Sequence, residues 1–242
     1  MSPLGEVSFL GGVGIWKVLT TELTESQEVK HLGVVLSRNN KQHAEERIKS
    51  ARRAFYSLQG AGLCVGGCSP STISHIYSTA VRPVLLYGLE CVYQDKTVMK
   101  SIESMQGKFV KAALGLKKSC RTSPLLQALN VDRISVSVDI SKLSLLKSML
   151  LSTSRCSTFY QHLLSCYFDG SMGNHKNLVN TVMNICKKYH ISLLQYVCDD
   201  HYQLRCKEII RYKNPCGIAD SVKYCLSTDF EATTINNLLR AF

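Results

Sequence analysis

No stretch of this 242-residue sequence approaches the ~18 consecutive apolar residues that a membrane-spanning helix needs, so no bilayer span is expected. Nor does the amino end carry a basic segment followed by an apolar run of roughly 7–15 residues, the layout of a secretory signal. The expectation is an intracellular protein, nuclear or cytoplasmic, and not a secreted one. There is no internal repeat and no low-complexity linker. The Gly12-Val13-Gly14 pair lacks the third glycine or the Lys-Ser/Thr of a phosphate-binding loop, and no helix opens after it, which leaves turn formation as its role. No serine sits in a nucleophile elbow, and no signature surrounds any of the 11 cysteines or 7 histidines, so an independent hydrolase is not expected.

What the sequence does have is positive charge. The net charge is +11 and the isoelectric point near 9.1. Residues 1–37 hold 2 basic and 4 acidic groups, residues 38–121 hold 14 and 5, and residues 122–242 hold 13 and 9. The excess is therefore concentrated in one stretch, net +9, which favours a polyanionic partner. An apolar fraction of 45% and a mean hydropathy of zero fit a globular chain long enough to bury a core. The cysteine count is odd and the spacing irregular, so free, buried thiols in a reducing compartment are expected rather than a disulfide framework.

Periodicity changes along the chain. Before residue 38, Gly5, Gly11, Gly12 and Gly14 interrupt short β-branched or apolar runs at Val7–Leu10, Ile15–Leu19 and Val29–Leu36, which predicts two or three strands. From about residue 40 the period is helical. Ala44, Ile48, Ala51, Phe55 and Leu58 recur at steps of four and three, with Arg47, Lys49, Arg52 and Arg53 on other faces. Gly60-Ala61-Gly62 ends that helix and Ser69-Pro70-Ser71 opens the next. Pro83 lacks a backbone donor and is expected to kink the second helix or end it early. Val98, Ile102, Met105, Phe109, Ala112 and Leu116 mark a third, with Lys100, Lys108 and Lys111 off its stripe and Lys117, Lys118 and Arg121 past its end. Leu125–Leu129 predicts a short helix. Ser137–Leu151 is apolar on nearly every face and is expected to be buried. Asp169-Gly170, Gly173-Asn174 and Asn214–Gly217 mark loops, and the pattern fits either a domain boundary near 130–135 or one continuous all-helical body.

Several of these segments, in this order, resemble the region after the palm of non-LTR retrotransposon (LINE-type) reverse transcriptases. His31-Leu32-Gly33-Val34 resembles the short strand that closes the palm. Ala51–Leu58 looks like the first thumb helix. Tyr77 through Glu90, with its Arg-Pro-x-Leu-Leu-Tyr-Gly-x-Glu core at Arg82–Glu90, is similar to the second and is the most specific match. Ser104–Phe109 with Leu114-Gly115-Leu116, and then Leu125–Leu129, resemble the helices that follow. The likeness covers roughly residues 29–130. Periodicity and resemblance together give the expectation of a mainly α fold: a β-rich segment at 1–37, of which only the part from about 29 reads as the end of a palm, a thumb-like helical bundle at 38–130 and a further helical region of unassigned role at 131–242.

The departures set the expected activity. Polymerases of this family hold two metal ions on paired aspartates upstream of the Leu-Gly-Val strand, and this chain has no aspartate before Leu32. An endonuclease segment is not recognisable either. Tyr196-Val197-Cys198-Asp199-Asp200 superficially resembles the polymerase motif but lies far downstream between helical runs, where capping the next helix is the expected role. A zinc knuckle is approached twice and completed nowhere. Cys64, Cys68 and His75 are followed by Ala80 where a cysteine is needed, and Cys198, His201 and Cys206 lack a fourth ligand. Cys186 and His190 could be imagined only as a helical pair. No catalytic residue, metal, cofactor or small-molecule substrate is expected.

The resemblance implies a surface that contacts phosphates without reading bases. Arg47, Arg52, Arg53, Lys108, Lys111, Lys117 and Lys118 are the candidate contacts, to an RNA–DNA duplex or structured RNA. Tyr56 and Tyr77 are candidates for stacking, with core packing the expected role of both, and Arg82 and Glu90 are expected to fix their helix. The alternative is a non-catalytic relic that serves as a helical protein-interaction domain, or self-associates through the surface a palm would cover.

Overall fold

The alternation of apolar and charged residues after residue 40 folds into ten α-helices among the described residues, and the chain is mainly α. The computed structural model describes residues 16–18, 21–23, 28–37, 41–63, 67–152, 155–170 and 177–213. The expected strand at Val7–Leu10 and the expected turns at Gly173-Asn174 and Asn214–Gly217 lie outside these.

Four short strands precede the helices. β1 (Trp16–Val18) pairs antiparallel with β2 (Thr21–Leu23), and β3 (Glu28–His31) with β4 (Val34–Ser37). His31–Val34, expected as one strand, is instead the tip of a hairpin. His31 pairs with Val34, and the intervening Leu32 and Gly33 both have positive φ, 46° and 77°. Two such residues in succession make the tight turn whose twist matches that of the flanking strands.

The predicted stripes are the core of the first helical bundle. On α1 (Lys41–Gly60), Ala44, Ile48, Ala51 and Phe55 are buried. On α4 (Lys96–Ala113), Val98, Ile102, Met105 and Phe109 are. Phe55 and Phe109 meet with ring centroids 4.8 Å apart. Full burial of a ring of this size contributes about 1.5–3 kcal/mol. The α4 stripe stops short of its predicted end: Ala112 is exposed, its neighbour Ala113 being the buried one, and Leu116 lies beyond the helix and is 40% exposed. Gly107, inside α4, is where the start of α5 (Thr122–Ala128) crosses; a Cβ there would stand 2.8 Å from the Thr122 hydroxyl.

Between α1 and α4 the chain passes Pro83 without stopping. α2 (Pro70–Ile76), capped by the Ser69 side chain, runs into a π-helical segment at Tyr77–Val81 and then into α3 (Arg82–Leu86). Proline cannot donate to the carbonyl one turn back and its ring crowds that carbonyl. Widening the preceding turn to an i→i−5 bond, from the Arg82 N–H to the Tyr77 carbonyl, makes room for it. The expected kink or early end is thus a π-turn.

α6 (Ile134–Leu151) explains its own lack of a polar face. Ile134 and Val138 pack into the first bundle, while Val136, Leu143 and Leu146 belong to a second core. That second core is completed by α7 (Arg155–Phe168), α8 (Leu178–Tyr189), α9 (Leu193–Cys198) and α10 (Asp200–Lys213). Buried Gln106 of α4 fastens the helix start, donating to the Asp132 carbonyl (2.9 Å) and accepting from the Ile134 N–H (3.1 Å). The expected boundary near 130–135 is therefore where one helix begins to serve two cores. No helix among the described residues is long and apolar enough to cross a membrane.

Candidate nucleic-acid interface

α1 is positioned by a joint built from the Arg82–Glu90 stretch. Tyr87 donates its hydroxyl to the Leu32 carbonyl at the hairpin tip (2.6 Å). Buried His43 of α1 lies between hairpin and joint: its Nδ1 accepts from the Val35 N–H (3.2 Å) and its Nε2 donates to the Tyr87 carbonyl (3.0 Å). These partners select the neutral ring, and burial lowers the histidine pKa against the opposing pull of the Tyr87 carbonyl. Gly88 closes the joint at φ +73°, where a Cβ would stand 2.8 Å from Val34 Cγ2 and 3.0 Å from His43 Nε2. Only glycine combines that backbone conformation with that approach. The most specific sequence motif thus acts as architecture, locking the hairpin to α1.

With α1 fixed, its outer surface follows from helix geometry. Lys49, Arg52, Tyr56 and Arg53 fall within an arc of about 100° running from one edge of the buried stripe round to the far side of the helix, and all four are exposed. On α4, Lys100, Lys108 and Lys111 share an arc of about 80°. The two surfaces adjoin: Arg52 Nη2 reaches the Sδ of Met105 across the α1–α4 seam (3.4 Å), and Lys108 follows Met105 by one turn on the outward side. Lys111 Nζ donates to the Lys118 carbonyl (3.2 Å), folding the Lys117-Lys118 segment back against the end of α4. Lys49, Arg53, Lys108, Lys117 and Lys118 form no ion pair among the described residues.

Of the seven sequence candidates, Arg52 and Arg53 lie on α1, Lys108 and Lys111 on α4 and Lys117 and Lys118 past its end, and Arg47 is withdrawn. Arg47 is 13% exposed, lies 5.4 Å over the Tyr87 ring and pairs weakly with Glu46 (3.9 Å), so it braces the joint rather than facing outward. The two tyrosines part company. Tyr77 is 1% exposed and belongs to the core, as expected, whereas Tyr56, expected there too, is 63% exposed. Its position off the Ala44–Ile48–Ala51–Phe55 stripe was the available signal. Arg82 fixes its helix, donating to Ser137 and lying 3.8 Å from Asp132.

Other chemistry is occupied structurally. Asp199 accepts from the His201 and Tyr202 N–H groups at 2.8 and 3.1 Å, the cap of α10. Asp200, outside it, pairs with Lys147 at 2.7 Å, and that cation holds its carboxyl below the usual range. Among the described residues no three His, Cys, Asp or Glu side chains gather as a metal site. The described cysteines are free, but only Cys186 and Cys206 are buried, whereas Cys91, Cys120 and Cys198 are exposed. Burial pushes the Cys206 thiol up to about 11, leaving it a poor nucleophile. Lys142, also buried, donates to the Gln94 amide oxygen at 2.9 Å. A cleft of about 300 Å³ separates the α5–α6 junction from the end of α10, and among its charged lining residues Arg133 is on Ser123 and Arg211 on Asp132 at 3.0 Å.

The chain matches no family model, no curated protein and no solved structure.

Proposed function

We propose that this chain corresponds to the post-palm region of a non-LTR retrotransposon reverse transcriptase, and that its own activity is binding of nucleic acid without sequence readout. The observation that carries the binding activity is the adjoining pair of basic surfaces on α1 and α4, whose outward cations form no ion pair among the described residues. Phosphates contacted by such cations release their counterions, which supplies affinity to any sequence. The family reading rests on the ordered motifs from His31 to Leu129, Arg82–Glu90 foremost. No polymerase chemistry is proposed for this chain: no aspartate precedes Leu32, and Asp199 and Asp200 are committed to a cap and an ion pair.

The test is binding to a labelled RNA–DNA duplex across a salt series. Four phosphate contacts predict an affinity falling about 100-fold between roughly 50 and 200 mM salt. Absence of binding at low salt by a folded, monomeric sample would overturn the reading.

A second reading is favoured by the β3–β4 hairpin, which turns Val29, Leu36 and Leu32 outward at 55, 50 and 78% exposure. Apolar side chains so grouped suit a protein contact, including a second copy of the chain. Sedimentation of the chain and of Leu36→Lys separates the readings: a dimer dissolved by that substitution, with no nucleic-acid affinity, favours the protein contact.

A further inference from the structure

The basic surface carries one side chain that phosphate contact does not use. Tyr56 lies between Arg52 and Lys49 around the helix, with Arg53 beyond, and its ring is 63% exposed. Its neighbour Phe55 meets it edge-on, centroids 5.7 Å apart and planes at 68°, so one ring is anchored in the core and the other projects. The other exposed tyrosine of this bundle, Tyr87, is bonded to Leu32 and lies beneath Arg47. Tyr56 has no such engagement among the described residues. Glu45, the acid on the same side of α1, precedes Tyr56 by 11 residues, about 16 Å along the axis.

We propose that Tyr56 makes this surface a binder of unpaired nucleotides, its ring stacking on a base while Lys49, Arg52 and Arg53 hold the flanking phosphates. This rests on the nucleic-acid reading above and names the ligand class within it. A paired duplex shows phosphates and groove edges, but its base faces are covered by their neighbours, so an exposed ring gains nothing from it except at an end. A single strand offers both a phosphate row and free base faces, the combination that cations interleaved with an aromatic ring recognise without regard to sequence.

The experiment compares the full chain with Tyr56→Ala, Tyr56→Phe and Arg53→Ala. Each is titrated by fluorescence anisotropy with a labelled single-stranded oligonucleotide and with a blunt duplex of the same length. Loss of one base stack should weaken single-strand binding about 5- to 100-fold in Tyr56→Ala. Duplex binding should stay within about twofold, and Tyr56→Phe should retain both, because the ring and not the hydroxyl is used. Arg53→Ala should weaken both ligands and flatten the salt dependence, which Tyr56→Ala should leave unchanged. Equal losses on both ligands in Tyr56→Ala, or no loss on either, with Arg53→Ala still weakened, would overturn the stacking inference and leave phosphate binding standing. No affinity of the unaltered chain for either ligand would overturn both.

Discussion

The two helical bundles treat their cations in opposite ways. In the second, Lys147 pairs with Asp200, Lys188 with Asp139 and Arg211 with Asp132, and Lys187 lies 5.5 Å over the Tyr167 ring. In the first, Lys49, Arg53, Lys108, Lys117 and Lys118 are exposed and form no ion pair among the described residues. Several cations of the second bundle are thus engaged in packing, whereas in the first only some, Arg47 and Arg82 among them, are. Exposed pairs such as those of the second bundle add little stability, but they do neutralise the local field. The lesson is that a count of basic residues locates a polyanion-binding surface only after the paired ones are set aside.

The largest expected effect tests whether the two regions are separable at all. Phe55→Ala removes a ring from the first core and should cost about 3–5 kcal/mol. Because α6 contributes to both cores, denaturation should still show one transition, with far-ultraviolet and tyrosine signals coincident; two transitions would break the coupling. Gly88→Ala comes next. The left-handed backbone and the contact with Val34 together should cost about 2–4 kcal/mol, measured by urea unfolding.

The contrast in charge is tested directly by paired substitutions. Lys108→Ala/Lys111→Ala should weaken oligonucleotide binding about tenfold near physiological salt and lower the log–log salt slope by about two. Lys187→Ala/Lys188→Ala, the same change in net charge, should alter binding less than about twofold; equal losses would erase the distinction between the bundles. The smallest effect is a pH dependence confined to the first bundle. Burial keeps the folded His43 pKa below its unfolded value, so the unfolded chain binds the proton more readily. The stabilising contribution is full above the unfolded pKa, about 6.5, and is lost as pH falls toward the folded one. The urea midpoint should therefore drop between pH 7.5 and pH 5, by less in His43→Gln, where that group no longer titrates.

How much of this is legible in the sequence depends on how many surfaces a helix must satisfy. Ala44, Ile48, Ala51 and Phe55 face one core, so their spacing alone identifies the buried side of α1. α6 faces two cores, and Ile134, Val138, Leu143 and Leu146 spread around it until no period survives. Pro83 is a clear signal with more than one solution, and a π-turn leaves no mark of its own. On the candidate surface, helical spacing correctly places Arg52, Arg53 and Lys108 off the core and exposed, with Lys111 partly exposed. The fate of Arg47 depends on Tyr87, forty residues on, and no local pattern announces that contact.

α6 also has a mechanical meaning. Its 18 residues make a rod about 27 Å long, gripped at one end by Gln106 of α4 and at the other by the Ser157 hydroxyl on the Leu150 carbonyl. A rod so held transmits tilt: a rotation of about 5° at its first turn carries its far end by about 2 Å. α4 packs on α6, and α6 in turn on α7 and α8, so a shift of α4 would reach the second bundle as leverage.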